Sequence, residues 1–159
     1  MKNTRIAVLM MIVVTALISG CASLGPKFES VSVIPDSQAV IYIYRPSRFV
    51  GGAVKPSVYD GDKVITELVS GGYYPYFVNP GKVELWSKTE SKSSVELVAE
   101  KGRTYFVRGT IGMGVFVGRP HLEVVPEKVG MEEIKECKRV MDSEKQKAAK
   151  ATHAGAASN

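Results

Sequence analysis

Short apolar stretches, separated by turn residues at close intervals, run from residue 39 to residue 125. Residues 39–44 are apolar on both alternating faces, which is typical of a central strand buried on both sides. Most other stretches alternate apolar and polar positions, as half-buried strands do. Asp60-Gly61 and Pro80-Gly81 suit tight reversals of the chain. We predict seven or eight short strands, within residues 39–44, 56–59, 62–65, 73–78, 82–86, 95–100, 103–107 and 122–125.

The apolar period changes after Pro126, where residues 131–141 fit one helical stripe. This stripe consists of Met131, Ile134, Cys137 or Lys138, and Met141. We expect one amphipathic helix that covers an open edge or face of the sheets. The number and spacing of the strands are typical of sandwiches. The predicted fold class is therefore mostly β, an antiparallel β-sandwich over residues 38–142 with one C-terminal amphipathic helix.

The segments before and after this domain have different patterns. Residues 1–20 have a basic start, an apolar run and then small residues, which is the layout of a signal peptide. The apolar run is shorter than the roughly 20 residues that a membrane-spanning helix needs, so a permanent transmembrane helix is the weaker alternative. Residues 21–37 lack periodicity and predict a lipidated tether. Residues 143–159, rich in Ala, Lys and Ser, predict a disordered tail.

The junction Ile18-Ser19-Gly20-Cys21 resembles the lipobox of bacterial lipoproteins. By this resemblance Ile18, Ser19 and Gly20 are recognised by the signal peptidase, and Cys21 is lipidated and becomes the new N-terminus. Two or more acyl chains give stable anchoring. Ala22, in place of Asp, implies by similarity to enterobacterial sorting rules the inner leaflet of the outer membrane, facing the periplasm. The alternative is a core cysteine in an ordinary secreted protein.

Composition and charge narrow the classes of partner. The chain is 45% hydrophobic and 23% charged, as globular domains are. Removing Lys2 and Arg5 with the leader lowers the formal charge from +5 to +3, and the remaining basic residues are interleaved with acidic ones. We therefore predict no nucleic-acid partner. Once Cys21 is lipidated, Cys137 is either a free buried thiol or an intermolecular link.

Several ordered motifs carry a family resemblance. They are residues 40–46, Gly71-Gly72-Tyr73, Pro80-Gly81-Lys82, residues 102–108 and residues 133–137. Together they resemble domain-of-unknown-function family 2846, found in many proteobacterial lipoproteins, over about residues 38 to 140. The resemblance implies a lipoprotein with a β-sandwich. It implies no activity, so it supplies no catalytic residues.

The sequence contains none of the common catalytic motifs, such as Gly-x-Ser-x-Gly, His-Glu-x-x-His, a phosphate loop or Cys-x-x-Cys. His153 falls in the predicted tail, which leaves His121 as the imidazole for acid–base or metal chemistry, and we interpret it as structural or exposed. Asp60 and Asp62 flank a turn glycine, and that turn explains them. We predict that the protein is not an enzyme and holds no metal and no cofactor.

Two segments are candidate partner surfaces. In the glycine-rich residues 109–118 the spacing does not fit a dinucleotide loop. They form either a kinked hairpin or a hairpin that exposes apolar residues to a partner. The second segment is the aromatic cluster of residues 73–77, which either packs in the core or forms a surface. The candidate surface residues are Ile111, Met113, Phe116 and Val117 in the first segment and Tyr73, Tyr74 and Tyr76 in the second.

The leading hypothesis is a non-catalytic, lipid-anchored periplasmic interaction or structural module of an envelope assembly. Its partners are the membrane, through the N-terminal lipid, and an envelope protein. The alternative hypothesis is a lipoprotein that binds a small ligand or an envelope polymer, which requires a concave aromatic pocket around residues 73–77. Arg45 and Arg48 could hold an anionic group such as a lipid phosphate, or they are only solvated at a strand end.

Overall fold

The protein, analysed as a computed structural model, is described over residues 24–49 and 51–141. Within these residues, ten strands form two sheets that pack face to face, with one short helix. The elements are β1 (Leu24–Lys27), β2 (Ala39–Arg45), β3 (Ser57–Asp60), β4 (Lys63–Glu67), β5 (Gly72–Val78), β6 (Gly81–Lys88), β7 (Lys92–Ala99), β8 (Thr104–Gly112), β9 (Arg119–Val125), α1 (Glu127–Ile134) and β10 (Lys138–Val140).

The two sheets are mostly antiparallel, which confirms the predicted fold class. The larger sheet has six strands in the order β1-β10-β5-β2-β8-β9, and the smaller has four in the order β4-β3-β6-β7. Two neighbouring pairs, β2 with β8 and β10 with β5, are parallel. All eight predicted strands are present, and β1 and β10 are additional.

Strand β2 lies at the centre of the core, and all seven of its residues are buried. Its inward side chains, among them Ile41 and Ile43, pack against the four-stranded sheet. Its outward side chains, Tyr42 among them, pack with Phe106 beneath α1 and residues 28–34. The prediction of a strand buried on both faces is therefore confirmed.

The predicted helix over residues 131–141 is corrected in its extent. The helix is Glu127–Ile134, and the chain then turns into β10. The N–H of Lys138 donates to the carbonyl of Gly71 at 2.8 Å, and β10 pairs in parallel with the start of β5. Pairing with an existing strand satisfies these backbone groups, which overrides a helical pattern in the side chains.

The segment predicted as a tether belongs in part to the folded domain. Residues Leu24–Lys27 pair with β10 as an edge strand. The ring of Phe28 lies edge-on to Tyr42 and Tyr73, with ring centroids 5.3 and 5.1 Å apart. The N–H of Val31 donates to the Tyr42 hydroxyl at 2.7 Å. Burial of these side chains over the outer face of β2 orders a stretch that has no periodicity.

The sandwich has two ends that differ in character. At the tip end, where β2 and β8 finish and β9 begins, lie residues 46–49, 51–56, 67–71, 88–92, 113–118 and 135–137. At the opposite end, the turn end, tight turns contain Gly61, Gly81 and Gly102, all with positive φ. The candidate site lies at the tip end.

Candidate functional site

A six-residue loop between β8 and β9, residues 113–118, exposes large apolar side chains; we call it the tip loop. Met113 is 89% exposed and Phe116 is 92% exposed, with Val115 at 73% and Val117 at 45%. Side chains this exposed project from the surface instead of lining a cavity. The structure therefore places three of the four predicted surface residues of this segment in solvent.

The fourth, Ile111, is half-buried and forms the base of the loop. Its side chain lies over Gly118 and Gly51, where any added Cβ would come within 2.3 and 3.0 Å of it. Val54 lies beside Gly118 as well. Ile111 thus joins the hairpin to the loop between β2 and β3, which carries a fully exposed Phe49.

A carboxylate from the other sheet holds the tip loop from below. The N–H groups of Val115 and Val117 donate to the Glu90 carboxylate at 2.9 and 2.6 Å, and the N–H of Phe116 donates to it too. These donors, that of Val117 first, lower the pKa of Glu90 to about 2. Arg119 donates to the same carboxylate at 3.3 Å. Glu90 is therefore ionised at neutral pH and fixes three successive backbone donors.

Two further bonds join the tip loop and β9 to the β6–β7 hairpin. The Thr89 hydroxyl donates to the carbonyl of Gly118 at 2.8 Å. The N–H of Leu122 donates to the Ser93 hydroxyl at 2.9 Å. A Cβ at Gly114 would lie 1.7 Å from the carbonyl oxygen of Val117, so the observed loop requires glycine there. The apolar side chains are thus exposed on a backbone with defined hydrogen bonds.

Buried Arg45 supports the neighbouring loop. Its guanidinium is 2% exposed and donates to the carbonyls of Val54, Leu68 and Gly51 at 2.7, 2.9 and 2.8 Å. Because these acceptors occupy it, Arg45 does not hold an external anion, as one sequence hypothesis allowed. Arg48 is exposed and remains in solvent.

The tip end is basic. Residues 46–49, 51–56, 67–71, 88–92 and 113–119 contain five basic residues and two acidic ones, and the connection 135–137 at the same end adds Lys135 and Glu136. Glu90, one of these acidic residues, is occupied by backbone donors and Arg119. The exposed basic residues are Arg48, Lys55, Lys88, Lys92, Arg119 and Lys135.

The aromatic cluster of residues 73–77 is divided between the two faces of β5. Tyr73 is 4% exposed and packs between Phe28 and Tyr42 in the outer cluster. Tyr74 and Tyr76 are half-buried against the inner cluster, and the Tyr76 hydroxyl donates to Asp60 at 2.7 Å. Tyr73 is therefore a core residue, and its edge lines, with Pro75 and Phe77, a depression beside residues 26–32.

Charged residues beneath α1 pair with one another. Arg108 donates to Glu123 at 2.9 Å and to Glu133 at 2.5 Å, and Tyr44 donates to the other oxygen of Glu133 at 2.5 Å. The hydrogen bond with Arg108 lowers the pKa of Glu123, and burial raises the pKa of Tyr44. This network fastens the helix to β2 and β8.

The remaining candidate groups are placed as follows. Cys137 is a free thiol, 1% exposed, and burial raises its pKa to about 11, which confirms the buried-thiol interpretation. His121 is exposed on β9. In the part of the chain that the structure describes, no three metal-ligating side chains come together. Within the same residues, no helix has the length and apolarity to span a membrane. The predicted lipobox residues Ile18, Ser19, Gly20 and Cys21 lie outside the described residues.

Sequence reasoning found the tip loop but missed the residues that hold it. Glu90 is 26 residues away from Phe116 in the chain, and an isolated glutamate between two strands gives no local signal. Phe49 carried a weak signal, an aromatic residue in a loop without periodicity. The burial of Arg45 depends on carbonyls of Gly51, Val54 and Leu68, which only the folded loops bring together around it.

Comparisons with known proteins agree with the motifs. The family profile described as protein of unknown function (DUF2846) matches residues 35–119, more than half of the chain, and this stretch includes the tip loop. An uncharacterized protein of Haemophilus influenzae is 36% identical over 95 residues, 59% of this chain. The aligned part spans only 56% of that relative's length. No solved structure matches the chain.

Proposed function

The chain belongs to the DUF2846 family of proteins of unknown function, and we propose that it is a lipid-anchored, non-catalytic interaction module of a bacterial cell envelope. It is held to the outer membrane through Cys21, faces the periplasm, and presents its tip loop to another component of an envelope assembly. The observation that carries the proposal is the set of exposed apolar side chains that Glu90 holds on an ordered loop.

The anchor side of the proposal is supported by how soon the fold begins. Leu24, the first described residue, is three residues after Cys21 and already pairs in β1. Three residues span at most about 10 Å. A lipid on Cys21 would therefore keep the β1 edge of the larger sheet close to the membrane surface.

The contact side is supported by the energetic cost of exposure. Four large apolar side chains in one short loop are exposed to water. Removing their apolar area from water would contribute about 25 cal/mol per Å² to the free energy of binding. Clusters of this kind mark contact sites on soluble domains. The hydrogen bonds to Glu90 order the backbone of the tip loop in advance, so less conformational entropy is lost when the loop binds a partner.

The non-catalytic part is supported by the structural use of the reactive groups. Burial raises the pKa of Cys137 to about 11, so its thiol is not a thiolate nucleophile at neutral pH. Glu133 is occupied by Arg108 and Tyr44. Asp60 accepts the hydroxyl of Tyr76. These groups stabilise the fold instead of facing a substrate.

The first test is intact-protein mass spectrometry with membrane fractionation of the wild type and Cys21→Ala. We expect the wild type to lack residues 1–20, to carry acyl mass and to sediment with membranes. We expect the Cys21→Ala variant to show none of these three properties. An unmodified Cys21 in a soluble wild-type protein would refute the anchor.

The second test places a photo-crosslinking amino acid at Phe116 in cells, with the same group at Val98 as the control. Val98 is 67% exposed near the turn end, so both positions are accessible. We expect position 116 to give adducts with an envelope component that position 98 does not give. Equal adducts at both positions would remove the assigned role of the tip loop.

A further inference from the structure

We propose that the tip end inserts into an anionic lipid surface, that of the same membrane to which the N-terminal anchor holds the domain. The inserting side chains are Phe49, Met113, Val115 and Phe116. This inference rests on the proposed function in taking the tip loop as the contact surface. It adds the chemical class of the component that the loop contacts.

The central N–H groups of the tip loop already have hydrogen-bond acceptors within the protein. In hydrocarbon each unsatisfied N–H costs several kcal/mol, and three successive N–H groups of this loop already donate to Glu90. The charge of that carboxylate is compensated by these donors and by Arg119. The loop can therefore enter an interfacial layer without leaving its central donors unpaired.

The shape of the tip end favours a fluid partner over a protein. Phe49 is 102% exposed, Phe116 92% and Met113 89%, so each side chain stands alone above the surface. A protein partner would need a separate pocket for each of these side chains, whereas fluid lipid chains fill the space around any projecting group. Apolar side chains on one face with cations beside them are typical of interfacial membrane contacts.

The charge around these side chains matches an anionic surface. Basic residues outnumber acidic ones by six to three in the tip-end connections, with residues 135–137 included, and all six are exposed. Each basic residue close to anionic lipid strengthens binding about fivefold. The turn end has no such excess, since residues 36–38, 60–63, 79–81, 100–103 and 126–128 contain five acidic and four basic residues.

The position of β1 makes the anchored membrane the surface within reach. Strand β1 forms one edge of the larger sheet and β9 the other, five strand spacings or roughly 24 Å apart. A domain tied at β1 by a link of a few residues keeps its tip loop within a few nanometres of that bilayer. The second contact is then intramolecular, and its effective concentration is high.

The test measures how deeply position 116 enters the bilayer. Mature full-length protein is reconstituted in vesicles of phosphatidylethanolamine and phosphatidylglycerol that contain brominated lipid. Trp86, the one tryptophan in the sequence, is replaced by Phe, which preserves packing on Tyr59. Phe116→Trp then reports on the tip loop, and Val98→Trp serves as the matched control. We expect strong quenching and a blue shift at position 116 and neither at position 98.

Two additional variants in the Phe116→Trp background sharpen the result. Met113→Asp should lower about tenfold the ratio of protein whose tip loop is inserted to protein whose tip loop is free. Lys55→Gln with Lys88→Gln should lower it about fivefold for each charge, and neutral vesicles should act in the same direction. Unchanged quenching in the charge variants would overturn the anionic specificity.

The remaining outcomes separate this inference from the proposed function. Equal quenching at positions 116 and 98 overturns insertion, even when the mass spectrum shows acylated Cys21. Crosslinks from position 116 to a protein alone also overturn it and identify a protein partner. Clustering of vesicles by the anchored protein would overturn the assignment to the same membrane. An unacylated Cys21 with position 116 still quenched would refute the anchor and retain insertion.

Discussion

The tip loop and the turn end of the sandwich use glycine for different purposes. At the turn end, Gly61 and Gly102 have φ of +55° and +72°, and nothing lies within 4 Å of where a Cβ would be. At the tip end, Gly114 and Gly118 have close neighbours, so a side chain would collide. Glycine in these turns permits a backbone conformation, whereas glycine in the tip loop permits close packing. Elsewhere at the tip end, Gly51 and Gly71 also adopt positive φ.

The ends also differ in how they satisfy charge. Arg103 at the turn end is exposed, whereas Arg45 at the tip end is buried and donates to three carbonyls. Glu100 is exposed beside Arg103, whereas Glu90 accepts three backbone donors. The charged side chains of these turns are therefore exposed, whereas at the tip end charged side chains are bonded to backbone groups.

The largest effect that would test this contrast comes from the two arginines. We expect Arg45→Met to lower the free energy of unfolding by about 3 kcal/mol or more, because it leaves buried carbonyls unpaired. Arg103→Met should change it by less than about 0.5 kcal/mol. Urea unfolding of the purified protein measures both. Similar losses in the two variants would contradict the contrast.

The two classes of glycine give the next largest difference. Gly118→Ala puts a Cβ 2.3 Å from Ile111 Cγ2 and should cost about 1–3 kcal/mol as overpacking. Gly102→Ala should cost about 1 kcal/mol, from the left-handed backbone alone. Thermal and urea unfolding compare them, and hydrogen exchange should show that only Gly118→Ala loosens the tip loop. The opposite order of stability would argue against packing as the role of Gly118.

A smaller, local effect should follow the protonation of Glu90. Its folded pKa of about 2 lies below the ordinary 4.5, so the folded loop binds fewer protons and gains stability as pH rises. The stabilisation is complete above about pH 4.5 and is lost as pH falls towards 2. Hydrogen exchange at the amides of residues 115–117 should accelerate in that window beyond the intrinsic rate. Glu90→Gln should remove the pH dependence, and a variant that retains it would exclude Glu90 as the cause.

The smallest effect on stability should come from Phe116, to which we assign the proposed contact. Phe116 is 92% exposed, so Phe116→Ser should change the free energy of unfolding by no more than about 0.5 kcal/mol. Buried Phe106, by comparison, should lose about 3–5 kcal/mol on truncation to Ala. Urea unfolding measures the free energy of unfolding of both variants. A large loss in Phe116→Ser would show that the ring packs within the fold.

Much of the fold could be predicted because its signals are local. Alternation of side chains and turn residues located eight of the ten described strands, and the doubly apolar β2 indicated burial on both faces. Strands β1 and β10 were missed because they contain four and three residues, too few for a period to show. Residues 138–140 continue a helical stripe, and only their pairing with β5 makes them a strand.

The tip loop was partly predictable for the same reason. Glycines interspersed with apolar residues indicated a hairpin that could expose Met113 and Phe116. Nothing local indicated that Glu90 and Thr89 would lie beneath it, because that contact joins two sheets. The hydrophobic pattern also could not separate Tyr73 from Tyr74, since both faces of β5 are covered.

The pairing of β1 with β10 has a consequence for the order in which the protein folds. The first strand of the described chain pairs only with the last one, so it waits for the whole domain to be synthesised. This pairing joins strands more distant in sequence than any other pair in the two sheets, and contacts of large sequence separation form more slowly than local ones. Under the anchor proposed above, a chain that crosses a membrane N-terminus first would receive its lipid while the adjoining edge strand is still unpaired. The domain would then complete its larger sheet at the membrane surface.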